Sequence, residues 1–200
     1  MSKKEVRFLQ GQVEVRKGDG DKKSRTISGY AAVFDSDSED MGFIERLDKH
    51  CFDGVIEKSD VVALYNHSEA PGVLARSVNG EGTLKLEVDE RGLRCEFEAP
   101  NTQLGNDMIE SVERGDIRGM SFAFTVEKDN WEHDDKDNYR RTIVKVSRLY
   151  DVSLVVTPAY SATSVETKGL DELKAQELLD QHKGAAPGTW YYDKLRNDIY

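Results

Sequence analysis

From Val6 to about position 165 the chain is written mostly in a period of two, with Val, Ile, Thr, Tyr and Phe recurring in short runs. A two-residue repeat lines apolar side chains along one face of a pleated strand and scatters them around a helix, so this stretch is committed to β-sheet. The hairpin at 83–97 is the clearest case. Thr83-Leu84-Lys85-Leu86-Glu87-Val88 alternates, Asp89-Glu90-Arg91-Gly92 turns, and Leu93-Arg94-Cys95-Glu96-Phe97 alternates back. Other strands are expected at Arg25–Phe34, Val61–His67 and Met120–Glu127. Arg141–Thr157 reads as one long strand or two short ones, halted by Pro158. Val6–Leu9 and Val13–Val15 read as one strand or a broken pair, followed by a turn at Gly18-Asp19-Gly20-Asp21.

Helical signals are fewer. Asn101 or Thr102 caps a helix running to about Glu113, with Gly115 as its stop. A short helix is expected at Asp48–Lys58, weakened by Gly54. Asp35–Gly42 reads as an acidic loop. Asp129, Glu132, Asp134, Asp135 and Asp137 read as a solvated hairpin tip. After Lys168 the pattern changes: Leu170, Leu173, Ala175, Leu178 and Leu179 take roughly helical spacing, Gly184–Gly188 is a linker, and Trp190-Tyr191-Tyr192 follows. The expected organisation is a β-rich domain over 1–168 and an appended helix and tail over 169–200. The expected fold class is α+β, a closed or nearly closed barrel of about seven strands with surrounding helices.

Charge narrows the function. With 28 Lys and Arg against 38 Asp and Glu, the net charge is −10. That balance argues against a free-standing nucleic-acid binder and against docking on an anionic membrane. The longest purely apolar run, Val61–Tyr65, is far shorter than the roughly 20 residues a spanning helix needs. The basic start Met1–Val6 leads into no apolar stretch, so the expected setting is a cytoplasm or a compartment reached from it. Two cysteines, Cys51 and Cys95, give neither a disulfide framework nor a metal motif. Asp35, Asp37 and Glu39 begin like a calcium loop, but Asp40 stands where the glycine belongs and Arg46 where the bidentate Glu belongs. No metal or other cofactor is expected.

Three residues stand out for chemistry. His67 ends the most apolar strand, in Leu64-Tyr65-Asn66-His67-Ser68, whereas His50, His133 and His182 lie in polar surroundings. It reads either as a structural histidine at a strand end or as a base held in a fixed place. Ser121, in Arg118-Gly119-Met120-Ser121-Phe122-Ala123-Phe124, is either a hydrogen-bonded core hydroxyl or a placed nucleophile. Asp151 enters an apolar strand in Leu149-Tyr150-Asp151-Val152-Ser153-Leu154-Val155-Val156, and a buried carboxylate needs a partner. Together they supply the hydroxyl, base and orienting acid of acyl transfer. A cysteine hydrolase using Cys51 or Cys95 with His67 is a weaker reading, because Cys95 alternates on a hairpin strand with no acid or His motif beside it.

From Gly29 to about Thr167 the chain resembles the tailed-phage prohead (capsid maturation) protease family. Gly29-Tyr30-Ala31-Ala32-Val33-Phe34 matches an opening strand, and Leu64–His67 with Val73-Leu74-Ala75-Arg76 the histidine motif. Gly92-Leu93 sits in the hairpin. Gly115–Phe124 matches the serine motif and Asp151–Tyr160 the closing motif. The resemblance implies a serine endopeptidase with a β-barrel fold distantly similar to the herpesvirus capsid maturation protease. It implies cleavage of scaffold or capsid-precursor protein, and of itself, inside the assembling procapsid in the host cytoplasm. A homodimer is implied by the same analogy. His67 and Ser121 carry over directly. For the third member the family often has Glu where Asp151 stands, and the herpesvirus enzyme uses a second His, so His133 is the fallback. Thr157–Ser161 and Gly119 are candidates for the oxyanion donors. Gly184–Gly188 is a candidate self-cleavage region, or the appended segment tethers the chain to scaffold, or it is a plain disordered tail. The alternative from a different class is a non-catalytic scaffold or assembly protein that kept the barrel.

Overall fold

A computed structural model describes residues 3–10, 13–17, 24–133 and 138–156, with Leu9 and Gln10 by backbone alone. Eleven strands run through them: β1 (Glu5–Gln10), β2 (Val13–Val15), β3 (Thr26–Val33), β4 (Ile44–Leu47), β5 (Asp60–Tyr65), β6 (Ala75–Val78), β7 (Glu81–Gly82), β8 (Leu84–Val88), β9 (Gly92–Glu98), β10 (Gly119–His133) and β11 (Tyr139–Val155). One helix, α1 (Gln103–Glu113), lies between β9 and β10. The turn expected at Gly18–Asp21, the stop at Pro158, the Thr157–Ser161 turn and the appended 169–200 lie outside the described residues.

Among the described residues the fold is mostly β, and the expected closed or nearly closed barrel does not form. The strands make two sheets. One is ordered β1-β10-β11-β5-β6-β7, with β4 added against β11; the other is ordered β2-β3-β9-β8. Alternation tells which residues share a face, not which strands pair, and so it cannot tell a closed sheet from two open ones. Val6–Leu9 and Val13–Val15 fall in different sheets, on β10 and on β3. The surrounding helices reduce, among the described residues, to α1 and a single 3-10 turn. Thr102 caps α1 by accepting from the Gly105 amide at 3.2 Å, as its position before the helix suggested. The helix expected at Asp48–Lys58 is a series of turns ending in the 3-10 turn at Ile56–Lys58, and Gly54 within it takes φ +67°. The 83–97 hairpin forms as read. Gly92 is fixed there by close approach, since a Cβ on it would meet the Ala32 carbonyl oxygen at 2.0 Å.

The core joins the two sheets. Met120, Phe122 and Phe124 of β10 and Val152 and Leu154 of β11 are buried together with Ile27, Leu93, Cys95 and Phe97 of the smaller sheet. Phe122 stacks on Phe124 at 4.7 Å and meets Phe52 edge-on at 5.9 Å. The pleat then decides the rest. If Met120 and Phe122 point into the core, Ser121 points to the opposite face of the sheet. If Val152 and Leu154 point inward, Asp151 and Ser153 point out beside it.

β1 is tied down by charge. Arg7 grips Glu45 of β4 with Nε–Oε1 at 2.5 Å and Nη2–Oε2 at 2.7 Å. Arg141 of β11 reaches Glu5 at 2.7 Å, Glu45 at 3.0 Å and Asp129 at 2.7 Å. Asp129 is therefore part of a strand and its ion network, not of a solvated tip, and β10 runs on to His133. Likewise Asp37 of the acidic loop is held by Arg46 and Arg140. Removing one member of a buried ion network strands its partners. Glu45→Gln is expected to cost about 3–5 kcal/mol in urea unfolding, with the native spectrum retained in water.

Candidate active site

β10 and β11 pair antiparallel with Ser121 opposite Ser153 and Ala123 opposite Asp151. Ser121 and Asp151 are thus diagonal neighbours on one face. β5 runs parallel on the far side of β11, with Leu64 beside Ser153 and Tyr65 beside Leu154. His67 is not the end of that strand, as the sequence suggested: β5 stops at Tyr65. Asn66 and His67 form the middle of a tight turn, with φ of +50° and +56°, closed by the Ser68 amide donating to the Tyr65 carbonyl at 3.1 Å. Asn is among the few residues that take positive φ readily, and His tolerates it. The turn is pinned to β11 by the Asn66 amide on the Leu154 carbonyl at 3.0 Å. It swings the imidazole back across β11 toward β10.

The ring there joins the other two side chains. His67 Nδ1 lies 2.5 Å from Asp151 Oδ1, and Nε2 lies 2.6 Å from Ser121 Oγ. An ionised carboxylate only accepts, so Nδ1 carries the proton toward it and the neutral ring leaves Nε2 free to accept from the hydroxyl. The structure brings together the three residues that the sequence singled out. His133 is elsewhere: twelve residues along β10 from Ser121, about 40 Å at the rise of an extended strand, stacked on Tyr139 at 5.5 Å. Gly119 opens β10, paired with Gln10 and Val155.

Sequence reasoning missed other participants. Lys4, just before β1, places Nζ 3.0 Å from Asp151 Oδ2. The Arg7 carbonyl accepts from Ser121 Oγ at 2.7 Å. Ser121 has one proton and two acceptors. When the ring is neutral, the hydroxyl can donate to Nε2. When the ring is an imidazolium, Nε2–H donates to Oγ and the hydroxyl turns to Arg7. The Arg7 carbonyl is backbone, and no residue type marks it.

Asp151 is buried, and burial alone would raise its pKa. The hydrogen bond and charge of His67, followed by those of Lys4, outweigh burial and hold the carboxyl below its ordinary value. Glu5 behaves alike: burial raises it, but Arg141 and Arg7 bring it below its ordinary value. A carboxylate depressed in the folded chain stabilises that chain above its unfolded pKa, and the gain disappears as pH falls through the folded value. Thermal midpoints should therefore hold from neutrality down to about pH 5 and decline below it. Asp151→Asn, which cannot ionise, should flatten that decline.

The two thiols lie apart from this site. Burial pushes the Cys51 thiol far up and the Cys95 thiol up to about 12, so neither is a thiolate at neutral pH. Cys95 packs against Met120 Sδ at 3.4 Å, on the core side of the sheet. Among the described residues no three His, Cys, Asp or Glu side chains gather as a metal site would, and no helix is long and apolar enough to cross a membrane.

A hydroxyl and a buried carboxylate on adjacent strands, joined in one hydrogen-bonded line by an imidazole from a pinned turn, are the equipment of a serine-type acyl-transfer enzyme. Comparison with known proteins narrows the class. The family model described as caudovirus prohead serine protease matches residues 11–176. The chain belongs to that family and is a serine protease. Among solved structures, the capsid assembly protease of bacteriophage T4 aligns with TM-score 0.43 and 11% identity, over 77% of this chain and 99% of that one. Curated protein sequences give no match.

Proposed function

We propose that this protease cuts capsid-precursor or scaffold protein, and itself, within the procapsid in the host cell, using Ser121 as nucleophile, His67 as general base and Asp151 as orienting acid. The observation that carries the site assignment is the His67 ring, whose two nitrogens reach Asp151 and Ser121 at 2.5 and 2.6 Å. The substrate assignment rests on the family. A distant kinship with the herpesvirus capsid maturation protease belongs to the same reading and rests on the sequence resemblance.

Ser121 Oγ attacks the scissile carbonyl carbon while its proton passes to His67 Nε2. Asp151 keeps Nδ1 protonated and stabilises the imidazolium. The tetrahedral oxyanion collapses, the C–N bond breaks, and the leaving amine takes the Nε2 proton. Water, deprotonated by the neutral ring, then hydrolyses the acyl-enzyme and frees the hydroxyl.

The test uses two reagents on the full chain co-expressed with the matching capsid precursor in assembling shells. An alkyl fluorophosphonate is expected to add once, on the peptide carrying Ser121, and to stop cleavage read by intact mass. Iodoacetamide is expected to leave cleavage intact, because both thiols are buried and protonated. Inactivation by iodoacetamide with Ser121 unmodified would move the reading to a cysteine enzyme. A wild type that cuts nothing in shells and takes no phosphonate would favour a non-catalytic assembly protein.

A further inference from the structure

Ser153 has no exposed surface and touches both of the residues that bracket it in the site. Its Oγ accepts the backbone amide of His67 at 3.2 Å, approaches Asp151 Oδ1 at 2.9 Å, and lies 3.3 Å from His67 Nδ1. A hydroxyl has one proton and two lone pairs. The carboxylate can only accept, so the proton of Ser153 goes to Oδ1. A lone pair takes the His67 amide. Nδ1 aims its own proton at the shorter contact, Oδ1, and merely neighbours Ser153.

The two bonds fix different degrees of freedom. The bond to the His67 amide holds the backbone of a turn in which two consecutive non-glycine residues have positive φ. Such a turn persists only where its surroundings over-determine it. Two of its amides are held by main-chain carbonyls, Asn66 by Leu154 and Ser68 by Tyr65. The amide of His67 itself is held by the Ser153 side chain. The bond to Asp151 fixes the carboxylate's rotation, so that Oδ1 stays toward the ring while Oδ2 turns to Lys4 at 3.0 Å. One buried hydroxyl thus ties the start of the His67 side chain and the oxygen that receives its Nδ1 proton to the same point on β11.

We propose that Ser153 is a positioning residue of the protease. It clamps the His67 turn onto Asp151 and so keeps the ring in the Nδ1-protonated tautomer with Nε2 directed at Ser121. The proposal rests on the assignment of Ser121, His67 and Asp151 above. Ser153 touches no substrate and acts through the other residues. A hydroxyl present only to satisfy buried polar atoms would support the fold and leave the tautomer alone.

The experiment compares wild type with Ser153→Ala and Ser153→Cys in the full chain. Cysteine, somewhat larger than serine, leaves no cavity and is only a weak donor and acceptor, so it guards against a cavity effect in the alanine variant. Two quantities are read. One is the His67 ring by 15N-resolved NMR: the nitrogen shifts that report the tautomer, and the low-field Nδ1 proton of the bond to Asp151. The other is inactivation by an alkyl fluorophosphonate, resolved into a maximal rate and a half-saturating concentration, with the modified residue located by mass. Both folded variants are expected to lose the low-field proton and to populate the Nε2-protonated tautomer. Their maximal inactivation rate is expected to fall about 10–100-fold, as for a misplacement near 1 Å, with the half-saturating concentration unchanged. A folded variant that keeps the wild-type tautomer and rate overturns the proposal. Failure of the underlying assignment looks different: the wild type then carries no label on Ser121, while the NMR comparison still decides whether Ser153 holds His67 on Asp151.

Discussion

Ser121→Ala should abolish peptide cleavage, lowering its rate by about a million-fold, the scale on which serine proteases lose rate when the nucleophile is removed. The size follows from chemistry rather than packing. Without Oγ no acyl-enzyme forms, and what remains is water attack assisted by whatever donors meet the oxyanion. The fold should hardly notice. Ser121 is buried near the start of β10, where that strand is paired on both sides, its neighbours Met120 and Phe122 carry the core contacts, and alanine keeps the strand geometry. The loss is the hydroxyl's hydrogen bonding, to His67 Nε2 and the Arg7 carbonyl, about 1 kcal/mol for each bond. A thermal midpoint near that of wild type beside absent cleavage separates a chemical defect from an unfolded one. The measurement is intact mass over time, for each protein mixed with the capsid precursor and again in co-expressed shells. Equal cleavage by both proteins removes Ser121 as nucleophile.

The same pleat explains how much could be read from the sequence. The run Met120-Ser121-Phe122 and the run Asp151-Val152-Ser153-Leu154 place polar side chains opposite a buried apolar face, so a period of two isolates Ser121 and Asp151 as residues on one surface. The same alternation sets Ser153, two residues from Asp151, on that surface, but a serine alone suggests no role and it was missed in the sequence. Two strands, β4 and β6, escaped notice because their burial is inverted. In β4 the buried members are Glu45 and Leu47, and Glu45 is buried because two arginines from β1 and β11 neutralise it. In β6 the buried members are Ala75 and Ser77, while Val78 is exposed. Neither pattern looks like a strand until its partners are known. Pairing itself was illegible: β1 and β2 lie a few residues apart yet join different sheets, and a barrel was expected where two sheets form. Lys4 was illegible for a related reason, since its link to Asp151 spans 147 residues of sequence and is created by the pairing of β1 with β10.

Asp151→Asn is expected to lower the maximal rate about 10⁴-fold, the loss this change causes in a serine protease of known Ser-His-Asp triad, with the substrate's half-saturating concentration close to wild type. The amide is nearly isosteric, so the ring can remain in place. Its protonation is what changes. An asparagine amide can donate to Nδ1, which favours the tautomer with the proton on Nε2, and that nitrogen then has no lone pair for the Ser121 proton. The imidazolium formed during attack would also lose its counter-charge. Lys4, whose ammonium lies 3.0 Å from Oδ2 in the native site, would add an uncompensated positive charge nearby. Asp151→Glu should lose less, because it keeps a carboxylate for the ring even where the longer chain must bend to fit. His133→Ala should not alter the rate, since His133 lies at the far end of β10 against Tyr139. The readout is a set of initial rates for the three variants on one cleavable peptide, its sequence taken from the cut sites found in shells. An Asp151→Asn protein at full rate, or a His133→Ala protein at the 10⁴-fold loss, would hand the orienting role to another residue.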